Sequence, residues 1–242
     1  MRFSWDDQSI NRFKDSAACT GFHKKLAEKI IPRLEPRGTL CDLGCGLGRL
    51  DLELAPHVAE ITAADISERA VAVLNRDAKA LGLCNLRAFV RDAETMTGSF
   101  DVLMFSFFVK PGIPDHRKLR CRRIIRIVNA DNKSGFYPER HRYCDKETVP
   151  DVLEELNAQG TGFDLEFFSA EFGQPLKSRR DAEHFVLINA PGADAGEIND
   201  FLNENIIFTG RDDFPLYLPN RKELGIFIID TGEGQGEIHE QR

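Results

Sequence analysis

Short apolar runs alternate along the chain with segments in which apolar residues recur at helical spacing. A strand that is covered on both faces has a nearly continuous apolar sequence, so each short run predicts a buried strand. The candidate strands are Thr39–Leu43, Glu60–Ala64, Leu86–Val90, Phe100–Phe108, Arg123–Ala130, Phe163–Phe172 and Leu224–Asp230. Strands that alternate with helices predict a mostly parallel sheet with helices on both faces.

The segments between these runs have the apolar periodicity of helices. One begins near Leu47, a second follows Ser67, which is a suitable N-cap, and a third begins near Val149. The alternation stops after the sixth candidate strand. Two helical patterns, around Ser178–Ile188 and Gly196–Phe208, then precede a strand, a turn and the last candidate strand.

Composition and charge narrow the class of protein. The 242-residue chain has a formal net charge of −7, which disfavours nucleic acid as a partner because phosphate binding relies on Lys and Arg. For the basic run His116–Arg126, a solvated helix face is the favoured interpretation. Six scattered cysteines predict reduced thiols and no metal site. The sequence has no apolar run of about 18 residues and no secretory signal, so we expect a cytoplasmic protein without a membrane partner.

The sequence CDLGCGLGRL, Cys41–Leu50, places three glycines at every second position after a candidate strand. Gly44, Gly46 and Gly48 permit backbone torsions and close ligand approach that side chains would prevent. Asp42 precedes the first glycine by two residues, which disfavours a pyrophosphate and favours a cationic group such as an amine or a sulfonium. No G-K-[ST] follows, which excludes a Walker phosphate loop.

These residues resemble the first motif of the class I S-adenosylmethionine-dependent methyltransferases. The resemblance continues at ITAADIS, FVRDAETM and FDVLMFSFF, and spans roughly residues 30–229. It implies a Rossmann-like, doubly wound α/β fold with a seven-stranded sheet, mostly parallel with an antiparallel last strand, and S-adenosyl-L-methionine as cofactor. The cofactor-binding residues that it implies are Asp42, Gly44, Cys45, Gly46, Gly48, Asp65, Ile66, Asp92, Ala93 and Ser106.

Within this resemblance, Asp42 and the glycine loop hold the methionine portion of the cofactor, and Asp65 binds both ribose hydroxyls. Asp92 meets the adenine amino group, while an N-cap of a short helix is the alternative role for this residue. Ser106 falls beside the transferred methyl group. The expected division of the chain is an N-terminal lid over residues 1–35, a methyltransferase domain over 36–230 with a helical insertion at about 175–213, and a flexible tail over 231–242.

The methyl acceptor should lie over the ends of the fourth and fifth strands. Phe107 and Phe108 are candidates for the floor of its pocket, with packing in the core as the alternative. Tyr137, Arg140 and His141 are candidate acceptor-binding residues, with His141 and Tyr137 as the catalytic candidates. An ordinary polar surface loop is the alternative interpretation of this second group, and a general base is needed only if the acceptor is protonated.

In the N-terminal segment, Trp5, Phe13 and Phe22 could form a lid over the cofactor or pack as ordinary helix aromatics, and His23 is expected at the surface. The fourth strand lacks the N-P-P-Y sequence of many base-methylating enzymes, which favours a small-molecule acceptor. Two alternatives stay open: methylation of RNA or protein, and a regulator that binds the cofactor without turnover. We expect a monomer or a homodimer.

Overall fold

The computed structural model describes residues 5–107, 118–132, 135–141 and 147–232. Its main sheet has seven strands in the spatial order β3-β2-β1-β4-β5-β10-β6. The strands of the chain are β1 (Thr39–Leu43), β2 (Glu60–Asp65), β3 (Leu86–Val90), β4 (Gly98–Ser106), β5 (Leu119–Asn129), β6 (Asp164–Glu171), β7 (Gln174–Leu176), β8 (Ile207–Phe208), β9 (Leu216–Leu218) and β10 (Arg221–Asp230). The predicted seven-stranded α/β fold is confirmed.

Parallel pairing joins β1 to β2 and β4, β2 to β3, and β4 to β5. The last strand, β10, is antiparallel to both β5 and β6 and lies between them. The direction in which strands are added to the sheet reverses between β1 and β4. In open α/β sheets such a reversal opens a crevice at the carboxyl ends of the strands, where ligands bind.

Helices cover both faces of the sheet, as the sequence predicts. They are α1 (Asp7–Thr20), α2 (Phe22–Ile30), α3 (Arg49–Leu54), α4 (Glu68–Ala80), α5 (Val149–Ala158), α6 (Arg179–Asn189) and α7 (Ala195–Asn205). The apolar sides of α2, α3 and α4 pack on one face of the sheet, and that of α5 packs on the other. Ser67 caps α4, since its side chain accepts a hydrogen bond from the backbone N–H of Ala70.

A separate apolar cluster forms the insertion between β6 and β10. It combines α6 and α7 with the three-stranded sheet β7-β9-β8, so the insertion is not purely helical. The expected boundaries at residues 35, 175, 213 and 231 stay predictions, and residues 233–242 lie outside the described part of the chain. No helix in the described ranges has both the length and the apolar character needed to cross a bilayer.

The interpretation of the basic run as a helix face is wrong. From Leu119 onward the run is strand β5, while His116 and Arg117 lie outside the described residues. Buried and exposed side chains alternate from Leu119 to Arg122, and the following apolar stretch is buried on both faces. Arg126 is only 4% exposed and forms ion pairs with Glu147 and Glu155.

Two rings of the N-terminal segment, those of Phe22 and His23, pack against Phe168 and Phe172. Phe22 is 2% exposed and packs edge-on against Phe168, so it is a core residue and does not belong to a lid. His23 is half-buried with its Nδ1 inaccessible, contrary to the expectation of a surface position, and its ring lies edge-on to Phe172. Burial, followed by the charge of Arg49, lowers the pKa of His23 to about 4, so its imidazole is neutral at pH 7.

Candidate functional site

The glycine turn lies at the carboxyl end of β1, beside the point where the sheet order reverses. Gly44, Gly46 and Gly48 have φ angles of 80°, 53° and 59°, values that other residues adopt at a cost. The backbone N–H groups of Gly44 and Cys45 both donate to the carbonyl of Ala64, at 2.8 and 3.1 Å. The turn is therefore fixed to the end of β2, and its three glycines carry no side chain.

Asp65 ends β2 and ties together the two loops at this edge. Its Oδ2 accepts a hydrogen bond from the Gly46 N–H at 2.8 Å, and its Oδ1 accepts one from the Ser67 N–H at 2.8 Å. Each carboxylate oxygen has a second lone-pair direction, so both can still accept a hydroxyl proton. Asp65 thus sets the loop geometry and retains the capacity to bind a ribose.

The space above the glycine turn is bounded by side chains on two sides. A Cβ at Gly46 would lie 3.3 Å from Cζ2 of Trp5, so an added side chain there meets the indole ring. A Cβ at Gly48 would lie 2.3 Å from both Cδ atoms of Leu74. The close approach of Trp5 thus favours glycine at position 46, and the packing of α4 requires it at position 48.

The start of the described chain covers the turn. Trp5 makes an edge-to-face contact with Phe13, with ring centroids 5.4 Å apart. Both rings pack against a small cluster in which Ile10 of α1 meets Leu47 of the turn. This arrangement is the one expected of a lid over the glycine turn, although the lid role itself stays a prediction.

Two carboxyl groups are buried under the turn. Asp42 of β1 is 2% exposed and Asp51 of α3 is fully buried. Oδ1 of Asp42 and both carboxylate oxygens of Asp51 have no hydrogen-bond donor among the described residues. Burial raises the pKa of Asp42, and the nearby charge of Asp51 raises it further; burial raises the pKa of Asp51 to about 7. The sequence indicates Asp42 but not Asp51.

The residues after β2 and β3 border the same crevice. Ile66 is 53% exposed, which leaves an apolar side chain free beside Asp65. Arg91 N–H donates to the carbonyl of Asp65 at 2.9 Å, which brings the end of β3 next to that of β2. Asp92 caps a short 3₁₀ helix by accepting from the Glu94 N–H, and Ala93 is buried. The N-cap alternative for Asp92 is therefore real, and the side chain stays exposed at the crevice.

Strand β4 completes the crevice on its other side. Asp42 pairs in register with Met104, so Ser106, two residues further along β4, lies level with the glycine turn. Phe107 has a φ of +57°, which is rare for a residue with a side chain, and it is 40% exposed. Such strain at the end of a strand occurs preferentially at functional positions. Phe108 lies outside the described residues.

The second group of candidates contacts the insertion. Arg140 forms an ion pair with Glu197 of α7, and His141 Nε2 lies 3.2 Å from Glu197 Oε2. Tyr137 packs against the apolar cluster of the insertion. Tyr137, Arg140 and His141 are therefore anchored on the insertion, and their role toward an acceptor stays a prediction.

The structure brings the ten predicted cofactor residues to one edge of the sheet, at the ends of β1, β2, β3 and β4. Tyr137, Arg140 and His141 form a separate group on the insertion side. Asn129, at the end of β5, was not indicated by the sequence, and its buried Oδ1 has no donor among the described residues. An amide at the carboxyl end of a strand is the signal that could have identified it. The described residues contain no group of three or more His, Cys, Asp or Glu that could hold a metal ion.

Comparisons with known proteins agree with this geometry. Residues 40–130 match the family model described as a methyltransferase domain. Over 68 residues the chain is 44% identical to magnesium protoporphyrin IX methyltransferase of Arabidopsis thaliana, a match that covers 27% of this chain and 22% of that protein. The chain thus spans about a fifth of the length of this curated relative.

Solved structures share the fold over a longer range. A SAM-dependent methyltransferase from Aquifex aeolicus superimposes with a TM-score of 0.55 at 13% identity, covering 93% of this chain and 100% of that one. A protein of Bacillus halodurans described as a methyltransferase gives a TM-score of 0.52 at 14% identity, covering 84% and 97%. At such identities the likeness concerns the fold alone.

The fold and the site define an α/β domain of the cofactor-binding, doubly wound class, with its crevice at the reversal of strand order. More narrowly, residues 40–130 are the part of the chain that matches the model of a methyltransferase domain. That part holds every residue that the sequence indicates for the cofactor.

Proposed function

We propose that this chain binds S-adenosyl-L-methionine and transfers its methyl group to a small-molecule acceptor. The observation that carries the proposal is the edge formed by the glycine turn and Asp65. Three glycines in left-handed conformations leave the backbone bare, and a carboxylate that accepts the Gly46 N–H stands beside them. This donor and acceptor set fits a ligand with a cationic amino-acid portion and a ribose.

The residues present fit the cofactor portion by portion. Asp42 and the glycine turn would hold the amino-acid portion, Asp65 the ribose, and Asp92 with Ile66 the adenine. The cofactor, when bound, supplies an activated methyl group on a sulfonium. In-line displacement requires the protein mainly to align the acceptor with that methyl group and to exclude water. Trp5 and Phe107 would provide apolar cover for this purpose.

Three features support a small-molecule acceptor. The formal net charge of −7 disfavours a nucleic-acid substrate. From Leu119 onward the basic run is a strand with Arg126 buried, so this part of it does not present a helix face to RNA. The curated relative with 44% identity over 68 residues is named for a small-molecule substrate, magnesium protoporphyrin IX. Whether the chain acts as a monomer or a homodimer stays a prediction.

The cofactor proposal is tested by calorimetric titration of S-adenosylhomocysteine into wild type, Asp65→Ala and Asp65→Asn. Asp65→Ala should weaken binding by about 1–3 kcal/mol, the usual loss for a charge-assisted hydrogen bond, and Asp65→Asn should weaken it less. Asp101→Ala is the matched control. Asp101 also accepts two hydrogen bonds, from the N–H and hydroxyl of Thr39, but at the opposite end of β1.

Equal affinities in Asp65→Ala and wild type would remove Asp65 from the site. A loss of the same size in Asp101→Ala would show that the effect comes from the fold and not from the ligand. The acceptor is then identified with a labelled methyl donor and three fractions of a cell extract: small molecules, RNA and protein. Label in the RNA or protein fraction alone would favour the first alternative, and binding without label anywhere would favour a non-catalytic regulator.

A further inference from the structure

The carboxyl groups of Asp42 and Asp51 are both buried, with 2% and 0% exposure. Asp42 lies next to the last residue of β1, directly before the glycine turn, and Asp51 lies in the first turn of α3, directly after it. Each carboxyl group shifts the pKa of the other, so the two side chains are close neighbours. Ionised carboxylates only accept hydrogen bonds, so a bond between them requires a proton on one.

No cation is among the described groups that shift the pKa values of this pair, although the backbone N–H of Asp51 lowers the pKa of its own carboxyl group. Oδ1 of Asp42 and both oxygens of Asp51 meet no donor among the described residues. The other titratable groups that face the pair are the carboxylate of Asp65 from β2 and the thiols of Cys41 and Cys45 from β1 and the turn. None of these supplies a positive charge, and two unpaired buried carboxylates side by side are strongly unfavourable.

We propose that Asp42 and Asp51 hold one proton between them in the free protein and release it to solvent when the ammonium group of the cofactor binds near Asp42. The inference rests on the proposed function. The ammonium cation favours the ionised form of both carboxyl groups, so the O–H bond of the pair breaks and the proton passes to the buffer. Asp51 is thus a positioning residue that sets the charge presented by Asp42.

The pair also explains why a carboxyl group can lie under the turn before the cofactor arrives. A single shared proton reduces the buried charge of the free site from two to one. Binding then replaces the proton by the cofactor's own cation, so the site is never left with two uncompensated charges. The affinity for the ammonium group should therefore rise with pH through the range in which the pair loses its proton.

Calorimetry in buffers of different ionisation enthalpy measures the number of protons exchanged on binding. At about pH 7, wild type should release up to about one proton per S-adenosylhomocysteine bound. 5′-Methylthioadenosine, which has the adenosine portion but no ammonium group, should bind without release. In Asp51→Asn the amide can donate to Asp42 without a shared proton, so release should vanish and affinity should be flat between about pH 6 and pH 8.

Asp101→Asn, at the opposite end of the central strands, is the control and should release protons as wild type does. Binding of S-adenosylhomocysteine to wild type without proton release would overturn the inference and leave the proposed function standing. Unchanged release in Asp51→Asn would also overturn it. Absence of any binding to wild type would overturn the proposed function itself. If Asp51→Asn does not fold, the difference between the two ligands on wild type still decides the question.

Discussion

Gly48→Ala should lower the stability of the protein by much more than the left-handed backbone conformation alone would cost. Gly48 has a φ of +59°, and its added methyl group would lie 2.3 Å from both Cδ atoms of Leu74. Leu74 is fully buried and cannot swing into solvent. The left-handed conformation costs about 1–2 kcal/mol for a residue with a Cβ. Overpacking of a filled core adds about 1–3 kcal/mol, so the expected loss is about 2–5 kcal/mol.

Gly21→Ala is the matched control for the backbone contribution. Gly21 ends α1 with a φ of +60°, and nothing lies within 4 Å of its added Cβ. This variant should therefore lose only about 1–2 kcal/mol. The difference between Gly48→Ala and Gly21→Ala isolates the contact with Leu74, because both variants have nearly the same φ.

Urea unfolding measures the free energy of unfolding of both variants. An unchanged slope of that free energy against urea concentration would show that the compactness of the folded and unfolded states is preserved. A double-mutant cycle strengthens it. In a Leu74→Ala background the clash is absent, so Gly48→Ala should cost no more than Gly21→Ala does in wild type. Equal losses in the two glycine variants of the wild-type background would refute the packing of α4 against the turn.

Two further predictions concern β5 and the residues that follow it. Arg126→Met should lower the free energy of unfolding by about 3–5 kcal/mol, because Glu147 and Glu155 are left without their cation. Adding Glu147→Gln and Glu155→Gln should restore most of this stability. A loss under about 1 kcal/mol for Arg126→Met, measured by urea unfolding, would contradict the prediction. His141→Ala should lower kcat/KM for the identified acceptor at unchanged S-adenosylhomocysteine affinity, by about 10²–10⁴-fold if His141 is a base. If calorimetry shows that the affinity for S-adenosylhomocysteine falls as much as kcat/KM does, His141 belongs to the cofactor site and not to the acceptor site.

The glycine turn and its acidic neighbours could be predicted because backbone geometry dictates the residue type there. Left-handed φ at Gly44, Gly46 and Gly48 leaves few alternatives to glycine, and the carboxyl ends of parallel strands meet at one edge. Asp65 follows from the same rule, because its strand pairs with β1. Local sequence therefore determines the geometry of this part of the candidate site.

Asp51 and Arg126 could not be predicted because their environments depend on distant residues. In RLDLEL, an acid in the first turn of a helix is typical of a surface position that suits the helix dipole. Its burial results from tertiary packing around α3, a short helix whose remaining apolar residues belong to the core. The partners of Arg126 stand 21 and 29 residues further along the chain, beyond any local periodicity.

The position of β10 between β5 and β6 has a consequence for synthesis on the ribosome. Leu224 of β10 pairs with both Asn129 and Phe168, so β5 and β6 are made long before the strand that joins them. At about 5–20 residues per second, β5 emerges on the order of ten seconds ahead of its partner. During that time both strands present unpaired edges, which are templates for pairing with other chains. The yield of folded protein should therefore depend on chaperone protection of these edges until β10 emerges.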